Sequence, residues 1–420
     1  MKATKIFMMA ALALTFAACS NDDNDFAQQP DNNEITITAT VSSDDATTRA
    51  LSPNGSNIAS TWETTDQFAI LYNDGTSDVK RVATVSSING STVTITFTIP
   101  SSLANNTACT IVYPASAANA ANTGADVATA LAAQDGTIGN CPEVRVGTAT
   151  IDKDNHSLSS VTKLAAQNAI FKFTLQDLSA AAKSATEFKV SDGSGNVMTT
   201  VTSGSASGEL YVALPVMAAG TYWFNATIDS KPYIAKATTA AATVAGKYYQ
   251  TTVKMATIGD VILSDGKFAA RTSTTGTNVA MIAYLGSETD HATYKHGLAL
   301  ALTDEASTMN WTTATGASGA AAHTPAAPTP ITSSWMLPSK DQWDKMIVAC
   351  KNVLGTQHNY RDLRDGFSGI SGASNLQSGY YWSSTEDDSD YAWLCDFNYG
   401  EWYRAVKGRV DIRVRACLAF

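Results

Sequence analysis

From residue 34 to about residue 254, apolar side chains alternate with threonine, serine and other small polar residues. Ile35, Ile37, Ala39 and Val41 form one such series, Val93, Ile95, Phe97 and Ile99 a second, and Phe171, Phe173 and Leu175 a third. Every second side chain of a strand points to the same face, so each run predicts a strand with one face in a core and one in water. Turn-forming clusters separate the runs: Asn73-Asp74-Gly75, Ile88-Asn89-Gly90, Ser191-Asp192-Gly193 and Ala245-Gly246-Lys247. Short strands at this spacing predict antiparallel sandwiches. Helix is scarce in this half, apart from an alanine-rich stretch at 118–133 with room for a short one.

Beyond residue 257 the pattern changes. A loop rich in Ala, Thr, Pro and Gly runs from about 312 to 334, and the strongest helical signal of the chain follows it. Ser339 is a good N-cap, and Gln342 at the third helical position completes a capping box. Trp343, Met346, Ile347, Cys350 and Leu354 then fall on one helical face, and Gly355 suits the stop. After the helix come Tyr380-Tyr381-Trp382, a hairpin over residues 391–406 turning at Tyr399-Gly400, and a last strand at 412–418. One helix against an antiparallel sheet predicts an α+β module. The fold class expected is therefore mainly β: a sandwich over 34–162, a second over 163–257, and an α+β domain over 258–420.

The amino terminus adds an address. Lys2 and Lys5 precede an apolar run at 6–18 that is too short to span a bilayer, and the run closes on Thr15-Phe16-Ala17-Ala18-Cys19. Small residues before a cysteine form a lipobox, which predicts a signal peptide over 1–18 and a diacylglycerol on Cys19. An acidic tether over 19–33 follows. The net charge of −10 over 420 residues argues against nucleic acid as a partner, since such binding needs basic patches. Five cysteines remain after Cys19, an odd set with room for one or two disulfides of undetermined pairing.

Two resemblances emerge from these residues. The lipobox, the first strand, Thr47-Thr48-Arg49-Ala50, Ser60-Thr61-Trp62-Glu63 and Asp66-Gln67-Phe68 resemble the start of fimbrillins, the subunits of type V pili. Leu210-Tyr211-Val212-Ala213-Leu214-Pro215-Val216 and Ala245-Gly246-Lys247-Tyr248-Tyr249 resemble late strands of a second sandwich in that family. The resemblance covers roughly residues 34–255. It implies tandem transthyretin-like β-sandwiches, maturation by Arg-specific cleavage between Arg49 and Ala50, and assembly with other pilus subunits by donor-strand exchange. It also implies location at the outer membrane and cell surface, in a fimbrium, with the lipid anchor retained until cleavage.

Residues 258–420 are similar to a module related to C-type-lectin-like folds. The similarity is carried by Asp265-Gly266-Lys267-Phe268, His296-Gly297-Leu298-Ala299-Leu300, Trp335-Met336-Leu337-Pro338-Ser339, Tyr381-Trp382-Ser383-Ser384-Thr385-Glu386 and Val414-Arg415-Ala416-Cys417. The Glu-Pro-Asn and Trp-Asn-Asp tripeptides of calcium-dependent sugar binders are missing from it.

Catalytic constellations are absent from the sequence. There is no zincin helix, no phosphate-cradling Gly-Lys-Ser loop and no nucleophile elbow, and the five histidines are scattered. A non-enzymatic role is expected. Two other chemistries stand out. Glu386, Asp387, Asp388 and Asp390 make an acidic loop whose carboxylates suit a hard cation such as calcium, or simply water. Tyr399, Trp402 and Tyr403 crowd the hairpin turn and are the candidate contacts for a host glycan or protein.

The expected function is a surface adhesin at the tip of a type V pilus, because a C-terminal strand absorbed into its own domain cannot be donated to a neighbour. One alternative is a permanently lipidated glycan-binding lipoprotein that never polymerises. A lower alternative, a surface hydrolase, requires a carboxylate pair that the sequence does not identify.

Overall fold

The computed structural model describes residues 33–43, 52–54, 57–59, 62–355, 357 and 359–420. Cys19, Arg49, Ala50 and His358 lie outside them.

The chain is mainly β, as the alternation requires. In the first sheet the strand order is Glu34–Ser42, Thr92–Pro100, Asp78–Asn89, Gln67–Asn73, Thr107–Tyr113, Arg145–Asp152 and Ser157–Ser159, all neighbours antiparallel. Ile37, Ala39 and Val41 face its core with Val93, Ile95, Phe97 and Ile99, so the two alternating series meet on one face. Trp62 packs on Phe68 and Tyr113 at ring separations of 5.3 and 5.0 Å. The sheet curls until its ends meet: the Thr38 amide donates to the His156 carbonyl at 3.0 Å, and the Leu164 amide to the Ser42 carbonyl at 2.7 Å.

The second sheet runs Glu209–Pro215, Asn168–Asp177, Tyr248–Thr257, Lys231–Thr239, Gly220–Ile228, Ala185–Ser191 and Val197–Ser207, with Asn168–Asp177 and Tyr248–Thr257 parallel. Phe173, Phe188 and Phe224 form the centre of its core. Its last strand comes from elsewhere in the chain. Ala133–Gln134, in the stretch assigned by sequence to the first sandwich, pairs in parallel with Val197–Ser207.

That short strand lies in a seam. The Gln134 side chain imitates a peptide group: its Nε2 donates to the Ala213 carbonyl at 2.7 Å, and its Oε1 accepts from the Ala213 amide at 2.8 Å. Nε2 also reaches Thr199 Oγ1 and the Leu131 carbonyl, both at 2.9 Å. Gly136 adopts φ +79° beside Val201 and Leu210, where a Cβ would come within 2.9 Å of side-chain carbons. Its carbonyl accepts from the Tyr211 amide. The alanine-rich stretch before it holds the expected short helix, Val127–Leu131, capped by Asp126. A shared apolar cluster of Leu71, Val112, Leu131, Cys141, Ile170 and Ala213 ties the two sheets together.

The C-terminal part is α+β. Phe268–Ala269, Val261–Leu263, Asn278–Leu285, Gly297–Ala301 and Cys417–Ala419 form one sheet in that order, and Tyr380–Glu386, Tyr391–Asp396 and Glu401–Val406 another. The helix Lys340–Val353 starts at the predicted capping box, with Ser339 and Gln342 bonding each other's backbone amides. Trp343, Met346 and Cys350 are fully buried, whereas Ile347 and Leu354 are only partly so, because they sit on the flank of the face. The expected disulfides do not form: Cys109, Cys141, Cys350, Cys395 and Cys417 are all free and buried. They are core residues of three separate clusters, where thiols act as small hydrophobic groups.

The carboxyl terminus is enclosed. Arg415 is fully buried and donates to Asp304 Oδ1 at 2.7 Å and to the Ala301 and Ser374 carbonyls at 2.9 and 3.1 Å. Asp304 Oδ2 accepts from the Tyr381 hydroxyl. The Phe420 carbonyl accepts from the amides of His296 and Gly297. His296 in turn stacks on Trp223 of the second sheet at 3.9 Å, with Lys236 Nζ 5.5 Å from the same indole.

Candidate functional site

The hairpin forms where the sequence places it. Tyr391–Asp396 pairs with Glu401–Val406, and Gly400 takes φ +77° in the turn, the left-handed region that glycine adopts without strain. Beneath the turn, the Tyr360 hydroxyl donates to the Asn398 carbonyl, and the Tyr360 ring lies where a Cβ on residue 400 would fall. Tyr399 at the tip is 71% exposed and Tyr403 is 42% exposed.

Tyr399, Trp402 and Tyr403 do not form one surface. Trp402 pairs across the strands with Cys395, and Tyr403 with Leu394, so the two rings occupy opposite faces. Trp402 is half-buried. Its Nε1 donates to Asp344 Oδ1 at 2.9 Å, and Lys340 Nζ stands 5.4 Å from its ring and 3.9 Å from that of Trp393. This face is closed by the first turns of the helix. On the other face Tyr403 meets Tyr380 edge-on at 6.4 Å, and Arg409 lies over Tyr380 at 5.3 Å. The Tyr403 hydroxyl donates to Glu401 Oε2, and that bond to a carboxylate raises its pKa. Tyr399 and Tyr403, with Tyr380 beside them, are therefore the rings open to a partner.

The acidic loop does not gather its carboxylates around one point. Lys407 Nζ bonds Glu386 and donates to the Asp388 and Ser389 carbonyls at 2.7 and 2.9 Å. Arg404 pairs with Asp387 at 3.0 Å. Asp388 Oδ1 accepts from the amides of Asp390 and Tyr391, and those bonds, with Arg404 and Lys407 nearby, hold its carboxyl below the usual range. Among the described residues no three His, Cys, Asp or Glu side chains converge as a metal-binding group. Arg404 and Lys407, from the neighbouring strand and the turn after it, thus pair with two of the four carboxylates, Asp387 and Glu386.

The described histidines are dispersed. His291 Nδ1 accepts the amides of Thr293 and Tyr294. Burial, assisted by Lys236, depresses the pKa of His296 to about 4. His323 is buried with Nδ1 2.7 Å from Glu305 Oε1. Burial pushes the Cys350 thiol up, so the ionised form a nucleophile needs is disfavoured. The His323–Glu305 contact carries no sequence signal, since the residues are 18 apart with the short helix Trp311–Thr315 between them.

No protein-family model matches the chain, and no curated protein matches it. Among solved structures, a fimbrial protein from Bacteroides ovatus aligns at 13% identity over 92% of this chain and 99% of its own, with a TM-score of 0.29. A fimbrial assembly protein from Parabacteroides distasonis aligns at 11% identity over 52% and 90%, with a TM-score of 0.29. A C-terminally truncated tip fimbrial protein from Porphyromonas gingivalis aligns at 12% identity over 51% and 84%, with a TM-score of 0.23.

Proposed function

We propose that the protein is a fimbrillin-type surface subunit that accepts a strand and donates none, the adhesin at the tip of a type V pilus. The observation that carries this reading is the unlike setting of the two terminal strands. Glu34–Ser42 is the first strand of its sheet and lies along Thr92–Pro100 for nine residues. Its departure would bare the edge of Thr92–Pro100 and leave the space of Ile37, Ala39 and Val41 open above Val93, Ile95, Phe97 and Ile99. An extended strand with alternating apolar residues fits such a groove, through backbone bonds at the edge and side chains in the core. Arg49 lies seven residues past this strand, so cleavage before Ala50 severs the strand and the lipidated Cys19 from the body together. Cys417–Ala419 is only three residues long, and it is bonded to Leu298–Leu300 on one side and to Ser333 and Met336 on the other, which makes it a poor strand to donate.

At the ligand end, residues 258–420 act as a lectin-like module whose exposed Tyr399 and Tyr403 contact a host glycan or protein. Exposed aromatic rings at a turn offer flat apolar faces at low entropic cost. The test of the main reading is the mature amino terminus in pili. Ala50 is expected there, with Arg49→Ala kept lipidated and out of the fibres. Normal incorporation of Arg49→Ala, or pili carrying Cys19 as the first residue, would overturn it.

A further inference from the structure

The sheet that carries the aromatic turn ends on an open strand. Glu401–Val406 pairs with Tyr391–Asp396 on one side, and among the described residues no strand lies on the other. The phase of its backbone follows from its neighbours. The Phe397 amide donates to the Gly379 carbonyl and the Tyr391 carbonyl accepts from the Asp387 amide, so the odd-numbered residues of the middle strand bond toward Tyr380–Glu386. Its even-numbered residues therefore bond Glu401, Tyr403 and Ala405, and the Lys407 amide continues that phase onto the Asp390 carbonyl at 2.9 Å. The amides and carbonyls of Trp402, Arg404 and Val406 point outward. Among the described residues only the Val406 carbonyl has a backbone partner there, the Arg409 amide at 3.0 Å.

Such an edge is a template for another strand, and proteins usually cover it, twist it away or charge it. The first sheet closes on itself, and Cys417–Ala419 is bonded by Ser333 and Met336. Glu401–Val406 has no comparable cover among the described residues, and Tyr403 and Val406 are 42% and 49% exposed.

We propose that this edge pairs with the same strand of a second copy of the chain, antiparallel about a two-fold axis at Tyr403. A two-fold axis perpendicular to the sheet keeps each face continuous, so residues opposite each other must share a face. Centring on Arg404 would set two guanidinium groups opposite each other, which is unfavourable. Centring on Trp402 would run the pairing into the turn, with Arg404 opposite Gly400. Centring on Tyr403 keeps residues 401–405 in the ladder and brings the outward amides and carbonyls of Trp402 and Arg404 into register with each other. It also sets Tyr403 against Tyr403 as a close pair of the kind that lacks backbone bonds, where side chains approach most nearly. Arg404 of each copy then lies beside Trp402 of the other, and a guanidinium suits an indole. Glu401 falls opposite Ala405, so the ladder places no like charges face to face.

The junction covers Tyr403 and leaves Tyr399 at both ends of the joined sheet, open to a ligand. It is small, so it forms between copies concentrated on one surface rather than in dilute solution.

Cysteine trapping on cells displaying the full-length protein tests this, because Cys109, Cys141, Cys350, Cys395 and Cys417 are all buried. In this register the two Tyr403 Cα atoms are about 4.5 Å apart, within disulfide reach, whereas the two Tyr399 Cα atoms are roughly 27 Å apart. Under copper–phenanthroline oxidation, Tyr403→Cys is expected to give at least roughly fivefold more covalent dimer than Tyr399→Cys. Adding Arg404→Pro removes an outward N–H and spares the hairpin's own bonds. It should lower the Tyr403→Cys dimer by at least about fivefold while the melting curve holds. Absence of a dimer from Tyr403→Cys would overturn the proposal. So would an equal dimer yield from Tyr399→Cys, or an undiminished yield from the folded Arg404→Pro double variant.

Discussion

Both ends of the described chain are β-strands, and the two are built to different standards. Glu34–Ser42 is long, regular and amphipathic, and its bonds to the body are almost all backbone pairs along one neighbour. Cys417–Ala419 is short, and most of its security comes from outside the ladder. Ser333 bonds Ala419 from both its amide and its hydroxyl, Met336 exchanges two backbone bonds with Cys417, and Arg415 anchors the preceding turn. A strand held by one ladder can be replaced by another strand of the same pattern. A replacement for Cys417–Ala419 would also have to fit the Ser333 hydroxyl and the buried Arg415 beside it. Length of pairing is thus a poor guide to permanence.

The contrast can be broken most sharply at Arg415. Arg415→Ala leaves Asp304 Oδ1 and the Ala301 and Ser374 carbonyls without this donor, and should cost about 3–5 kcal/mol in chemical denaturation. It should also open residues 412–420 to carboxypeptidase. A loss below about 1 kcal/mol would mean the carboxyl terminus is held no more firmly than the first strand.

Gln134→Ala probes the seam between the two sheets. It removes both bonds to Ala213 and should cost about 2–3 kcal/mol, with faster hydrogen exchange at the Ala213 amide. Unchanged exchange there would reduce residues 133–136 to a passive linker.

His296 tests the junction of the C-terminal part with the second sheet. Its pKa in the folded protein is about 4, against about 6.5 in an unfolded chain. Between those values the unfolded state binds the extra proton, so stability falls as pH drops from about 6.5 to about 4. This group has no further effect on either side of that window. The loss should be about 2 kcal/mol after allowing for partial solvent access, and it should vanish in His296→Gln. An identical pH slope in that variant would assign the effect elsewhere.

The smallest expected effect is at the tip. Tyr399→Ala should change stability by less than about 0.5 kcal/mol while weakening attachment to the ligand in a cell-adhesion assay. A clear drop in melting temperature would show that the ring supports the turn. Trp402→Ala is not an equivalent test, because it also removes the indole donor to Asp344.

What could be read in the sequence was local. The strand series at 35–41, 93–99 and 171–175 and the Ser339–Gln342 capping box each depend on neighbours a few residues away, and each formed as expected. The seam strand Ala133–Gln134 was not legible, since two residues carry no period and the partners lie 65 to 79 positions ahead. The split between Trp402 and Tyr403 is different: adjacent residues of a strand always face opposite ways, so the signal was present and their crowding in sequence obscured it.

The graft of residues 133–136 also sets how tension would travel along the molecule. If the two sheets were joined by a single covalent tether, a pull on the ends would swing them apart about one point. Here a parallel strand and the amide of Gln134 lie side by side with their partners in the seam. A pull directed along those strands loads their bonds together in shear rather than unzipping them one after another. The joint is then stiffest along those strands.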